Sequence, residues 1–223
     1  MLELLGLVGA GFLLGLQHSF DADHVAAIST IVSKNKSLAK ALAIGAAWGV
    51  GHSGTLLIIG LFVLGLKVTI PDKLAQGLEF LVGLMLIYLG FGLLKSIVVD
   101  RIHMHRHKHG EVEHMHFHSH KTSKKHEHLH RPLLVGMVHG VAGSAAVMLL
   151  IMATMTSVGE GLLFALVFGV GSILGMMVAG MIISLPVLVA QKYASLSQTL
   201  MAIAGFVSTG VGFMVIKENW PFS

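Results

Sequence analysis

Two imidazoles and two carboxylates fall within seven residues of the segment HSFDADH, as His18, Asp21, Asp23 and His24. Apolar sequence flanks the segment on both sides. A further histidine sits in each of two other apolar stretches, His52 in GVGHSGT and His139 in GMVHG. An ionisable group inside a membrane helix costs several kcal/mol unless it is paired or hydrated, which makes these six residues candidates for function. The chain has no cysteine, so disulfides and thiolate sites are excluded. Histidine with carboxylate, and no sulfur, suits a borderline divalent ion such as Ni²⁺, Co²⁺ or Zn²⁺ better than Cu⁺ or Ca²⁺. The ligand form of imidazole is the neutral one, so ion binding should weaken as pH falls through the histidine range.

On an ideal helix, His18, Asp21 and His24 lie at about 0°, 300° and 240°, while Asp23 lies at about 140°. Either Asp23 stands behind an imidazole and orients it, or the helix breaks and all four groups converge. The spacing favours His18 and His24 as ligands, with one carboxylate on the ion and the other behind.

The elements that must position these groups are apolar spans. Of 223 residues, 54 % are hydrophobic and 12 % charged, about half the charge of a soluble domain. Six apolar segments can be read, at about 2–32, 38–66, 74–94, 132–157, 160–190 and 195–216. Each is long enough to cross a hydrocarbon layer of about 30 Å, and helices satisfy their own backbone there. The sequence therefore predicts an all-α polytopic membrane protein with about six transmembrane helices. Its partners are a lipid bilayer and a divalent metal ion. The net charge of +4 resides in loops and speaks to topology rather than to nucleic acid. With Glu3 and no basic N-terminal region, no cleaved secretory signal is expected. Glycines spaced by four, as at Gly11/Gly15, Gly45/Gly49 and Gly171/Gly175, point to close helix packing.

The two halves echo each other. WGVGHS (48–53) matches FGVGS (168–172), GFGLLK (90–95) matches GFMVIK (212–217), and GLQH (15–18) matches GMVH (136–139). The shifts are 120, 122 and 121 residues. Three echoes in order at one shift argue for a three-plus-three repeat. An odd number of helices per repeat inverts the second copy, as in many transporters. The expected organisation is a first repeat over 1–99, a hydrophilic insert over 100–131 and a second repeat over 132–223.

The insert holds eleven of the fifteen histidines: His103, His105, His107, His109, His114, His116, His118, His120, His126, His128 and His130. They alternate with period two, but the flanking Lys, Gly and Glu argue for a disordered segment. The functional expectation is a low-affinity metal buffer or sensor, against a plain polar linker. Twelve of the fifteen Lys and Arg fall on the insert's side of the membrane, and only Lys67, Lys73 and Lys217 on the other. The positive-inside rule then puts the insert in the cytoplasm and both termini outside, in the cell membrane.

HSFDADH fits the H-x4-D-H signature of the nickel/cobalt transporter family, and GVGHSGT resembles that family's second-helix motif. The resemblance covers roughly the first 60 residues and implies that His18, Asp23, His24 and His52 recognise the metal. Classical members are longer, usually with eight helices and acidic motifs in the second half. Here GMVHGVAGSAAVM and GMMVAGMIIS carry no carboxylate, and His139 stands where longer relatives place an aspartate. The chain looks more like the short six-helix branch, which includes urease-accessory-type nickel permeases and related metal exporters. The resemblance implies uptake of Ni²⁺ or Co²⁺ into the cytoplasm by alternating access, with efflux of the same ions as the alternative. The ion is cargo, so no resident cofactor is expected. A second copy of the chain or a cytoplasmic metallochaperone remain open as partners. An intramembrane metalloprotease would need H-E-x-x-H, which is absent, and no enzyme is expected. A passive metal sensor would bind without flux.

Overall fold

The computed structural model describes residues 2–35, 37–66, 68, 70–99, 104–109, 112–117, 129–142, 157–190 and 192–220. Seven helices lie among them: α1 (Leu2–His18), α2 (Ala22–Val32), α3 (Leu38–Leu66), α4 (Asp72–Val99), α5 (His130–Val141), α6 (Val158–Ala190) and α7 (Ala194–Glu218). Four of them, α3, α4, α6 and α7, are long and apolar enough to span a membrane; α1 and α2, bent by 57° at a short break, bring the count to five if the pair is one broken span rather than a re-entrant loop. The membrane body is all-α and polytopic. Of the expected span 132–157, α5, Ala142 and Ser157 are described; 143–156 lie outside the described residues.

The outer surface is apolar, as a protein dissolved in lipid requires, and the interior mixes apolar side chains with buried polar ones. Leu13, Ile58, Phe62, Phe91, Phe206 and Phe213 are exposed, whereas His24, His52, His139, Ser172 and Ser208 are buried. Small residues let the backbones close up where no water drives them together. A Cβ at Gly15 would fall on the Phe168 carbonyl, and one at Gly136 on the Trp48 carbonyl.

These contacts come in matched pairs. Gly15 with Phe168 joins α1 to α6, and Gly136 with Trp48 joins α5 to α3. Gly171 meets Phe12 and Leu16, as Gly51 meets Leu133 and Met137. Gly83 meets Gly212, as Gly205 meets Gly90. In each case the second contact is the first with the halves exchanged at the 120–122-residue shift of the sequence echoes. The Gly45–Met176, Gly49–Ile173 and Ser53–Gly169 approaches make α3 and α6 antiparallel. The α1–α6 and α3–α5 contacts are parallel, so α1 and α5 run in opposite senses.

Two local expectations change. The first segment is not one helix, because α1 ends at His18 and α2 begins at Ala22. Ser19 Oγ donates to the carbonyls of Gly15 (3.1 Å) and Ser172 (2.8 Å). Tight turn bonds run from Phe20 N to Gln17 O and from Asp21 N to His18 O. Asp21 is extended, with φ −60° and ψ 149°, at the N-cap of α2. Ser and Asp favour turns and caps over helix interiors, which places the break here. In the insert, disorder was the expectation, yet Met104–His109 (β1) and Val112–Phe117 (β2) form an antiparallel ladder pairing His105 with His116 and His107 with His114. Period-two alternation matches the two-residue repeat of a strand.

Candidate metal centre

The break at 19–21 decides how the cluster is built. Had the helix continued, His18, Asp21 and His24 would share a face with Asp23 aside. Instead the turn carries Asp21 outward, where its side chain is 54 % exposed and its Oδ2 accepts from His18 Nδ1 at 2.7 Å. Asp23, in the first turn of α2, faces inward. Its Oδ1 accepts from His24 Nδ1 at 3.0 Å and from the His24 backbone N–H at 2.9 Å. Its Oδ2 accepts from His139 Nε2 at 2.8 Å. The acid that the helical wheel left apart is thus the one that ties the two halves of the chain together.

His52 completes the group from the midpoint of α3. Ring centroids lie 4.4 Å apart for His18–His24, 5.0 Å for His24–His52, 5.3 Å for His18–His52 and 4.2 Å for His24–His139. His24, His52 and His139 are essentially removed from solvent. His18 Nε2, His24 Nε2, His139 Nδ1 and both nitrogens of His52 are buried and find no hydrogen-bond partner among the described residues. A buried nitrogen without a partner is costly and asks for an explanation. Three of the four imidazoles share one pattern: one ring nitrogen donates to a carboxylate, and the lone pair of the other points into the cluster. Metal-ligating histidines are held this way, the carboxylate fixing the tautomer and raising the basicity of the free nitrogen.

Two sets of donors come within 4.8 Å of one another: His18, His24 and His52, and Asp23, His24 and His139. Five of the six expected membrane-embedded residues fall in one or both sets. Asp21 is the exception in depth, standing at the edge and supporting His18. Two aromatic neighbours were not expected. The Trp48 indole stacks on His24 at 5.7 Å and 23°, and Phe168 packs on His18 at 5.4 Å. A signal for them exists, since Trp48 and Phe168 open the matched motifs WGVGHS and FGVGS.

Of the insert histidines, His105, His107 and His109 lie on β1 and His114 and His116 on β2, while His130 opens α5. His103, His118, His120, His126 and His128 lie outside the described residues.

Comparison with known proteins agrees with a membrane protein of this size. The model for "Cytochrome C biogenesis protein transmembrane region" matches residues 53–214. A "Urease accessory protein UreH" of Bacillus sp. (strain TB-90) is 36 % identical over 210 residues, 94 % of this chain and 90 % of its own length. "Chloroplast protein FOR GROWTH AND FERTILITY 1" of Arabidopsis thaliana is 26 % identical over 219 residues, 96 % of this chain and 60 % of its own. No solved structure matches the chain.

Proposed function

The chain belongs to the urease accessory protein UreH family and to the cytochrome c biogenesis protein transmembrane region family, and from that premise we propose that it is a permease carrying a divalent transition-metal ion, Ni²⁺ or Co²⁺, into the cytoplasm. The observation that carries this reading is the set of buried, unpartnered imidazole nitrogens converging from α1, α2, α3 and α5 beside inward-facing Asp23. Kinship with a urease accessory protein and the resemblance of HSFDADH to nickel/cobalt transporters both favour nickel. The chain acts as a transporter, not an enzyme.

The matched contacts support a three-plus-three inverted repeat, 1–99 and 132–223, whose axis passes between α3 and α6. His18 and His139 are then counterparts, and His52, halfway along a helix about 43 Å long, sets the centre near the bilayer midplane, where such transporters bind their cargo. With both termini outside, His18 lies on the outer approach and His139 on the cytoplasmic one. Rocking one repeat against the other would expose the centre to each side in turn. The histidines of 100–131 would hold ions at low affinity on the cytoplasmic side.

Nickel accumulation tests the proposal. Cells expressing His24→Ala or His52→Ala should accumulate no more nickel than cells lacking the protein. Wild-type accumulation in both variants would refute the assignment. A wild type that lowers cell nickel and raises tolerance would instead establish efflux.

A further inference from the structure

Resting on the transport reading, we propose that the ion occupies two overlapping stations in succession, His18/His24/His52 and then Asp23/His24/His139, with His24 passing it from one to the other.

Geometry separates the stations. Nitrogen donors sit about 2.1 Å from such an ion, so two donors on one ion are at most about 4.2 Å apart. The five donors do not meet that limit as one group. They close within 4.8 Å only as two triads with His24 in common. The His24 ring has two nitrogens to divide between them: Nε2 is buried and unpartnered, while Nδ1 lies 3.0 Å from Asp23 Oδ1. That 3.0 Å separation matches neighbouring donors on a six-coordinate ion, about 3.0 Å at 2.1 Å radius.

Present bonding sets the order. In the first triad His18 Nε2, His24 Nε2 and His52 have free lone pairs, so an ion enters without breaking a hydrogen bond. This triad also lies nearer the protein surface, through the half-exposed Asp21 bonded to His18. In the second triad Asp23 is engaged by both His24 Nδ1 and His139 Nε2. The ion must release the His24–Asp23 bond to enter. Its move from Nε2 to Nδ1 frees Nε2 to take up the ring proton that Nδ1 gives up, so the imidazole stays neutral and no net charge is left behind. The second station adds a carboxylate to the coordination sphere and stands on the side of α5, the counterpart of α1. An ion that has crossed the His24 ring has therefore passed from the first half of the chain toward the second. His139 acts in onward movement rather than in capture.

The test uses the full chain with Co²⁺ as the probe, in detergent for binding and X-ray absorption and in liposomes for flux. Wild type should show three imidazoles on bound Co²⁺. His139→Ala should bind Co²⁺ within about threefold of wild type yet lose flux at least about tenfold, whereas His52→Ala should lose binding at least about tenfold. His139→Gln, which keeps a donor for Asp23, repeats the test should the alanine variant fail to fold. Two stations are overturned if the His139 variants lose binding as His52→Ala does, which means one merged sphere. They are equally overturned if those variants keep wild-type flux. A wild type that neither binds nor moves Co²⁺ or Ni²⁺ removes the transport reading itself, and is distinct from both of those results.

Discussion

Asp23→Asn isolates the contribution of the carboxylate that bridges the halves. The side chain keeps its shape but loses its charge and one acceptor. Oδ1 can go on accepting from His24, whose ring and backbone N–H lie at 3.0 and 2.9 Å. The new NH₂ then takes the place of Oδ2 and meets His139 Nε2–H, at 2.8 Å, donor against donor. His139 must move its proton to Nδ1, the nitrogen whose lone pair is free for an ion. The lost hydrogen bond to a charged group weakens the ion-free protein by about 1.5–3 kcal/mol. Ion affinity falls for a separate reason, the removal of a negative charge beside a dication, by at least about tenfold. Asp21→Asn is the control: its carboxylate is 54 % exposed, and an exposed pair contributes at most about 1 kcal/mol, roughly fivefold. Calorimetric Ni²⁺ binding and initial uptake rates should therefore rank wild type, Asp21→Asn, Asp23→Asn. An Asp23→Asn protein within twofold of wild type, or a reversed order of the two variants, would refute the bridging role.

Three further outcomes are expected. Gly136→Ala sets a Cβ on the Trp48 carbonyl and should lower stability by about 1–3 kcal/mol through overpacking, read as a lower melting temperature in detergent, while Gly54→Ala, with nothing within 4 Å of its added Cβ, should melt as wild type. Bound Ni²⁺ should quench the fluorescence of Trp48, which stacks on His24, so quenching disappears in Trp48→Phe and persists in Trp220→Phe. Ion affinity should fall as pH is lowered, because the imidazoles must be neutral to ligate, and binding unchanged from pH 8 down to pH 4 would contradict an imidazole site.

Apolar runs with few charges made the membrane body legible, because lipid leaves the backbone few alternatives to the helix. The candidate residues stood out for the same reason: in spans this apolar, His18, Asp21, Asp23, His24, His52 and His139 are nearly the only groups able to do chemistry, and five of them fall in the two donor sets. What the pattern left undecided was which carboxylate turns inward. A helical wheel assumes a continuous helix, and Asp23 came out apart on that assumption. The choice rests on a tertiary contact, Ser19 Oγ on the Ser172 carbonyl 153 residues away, which stabilises the break and reverses the roles of the two acids. Trp48 was only half readable, marked by its place at the head of WGVGHS but not by its contact. In an apolar run it looks like any core aromatic, and only the placement of α2 beside α3 lays it on His24. The insert shows the reverse case: its alternating histidines already carried the period of a strand, and local charge argued wrongly against it over β1 and β2.

On the transport reading, helix ends would add to the little formal charge available to attract a dication. His18 stands in the last turn of α1 and His139 in the last turn of α5. In both helices the last-turn carbonyl closes a tight turn, His18 O with Asp21 N at 3.0 Å and His139 O with Ala142 N at 3.3 Å. The helices run in opposite senses, so two carbonyl ends meet inside the bundle, one from each side. Each carries an effective charge of about −0.5, and the opposing N-terminus of α2 about +0.5. With the Asp23 carboxylate the sum is about −1.5, close to the charge of a divalent ion and well beyond that of a monovalent one. Imidazole nitrogens then discriminate among dications, taking borderline metals in preference to Mg²⁺ or Ca²⁺, which prefer oxygen. On the transport reading, charge would select valence and nitrogen the metal class, and the break between α1 and α2 brings both into register.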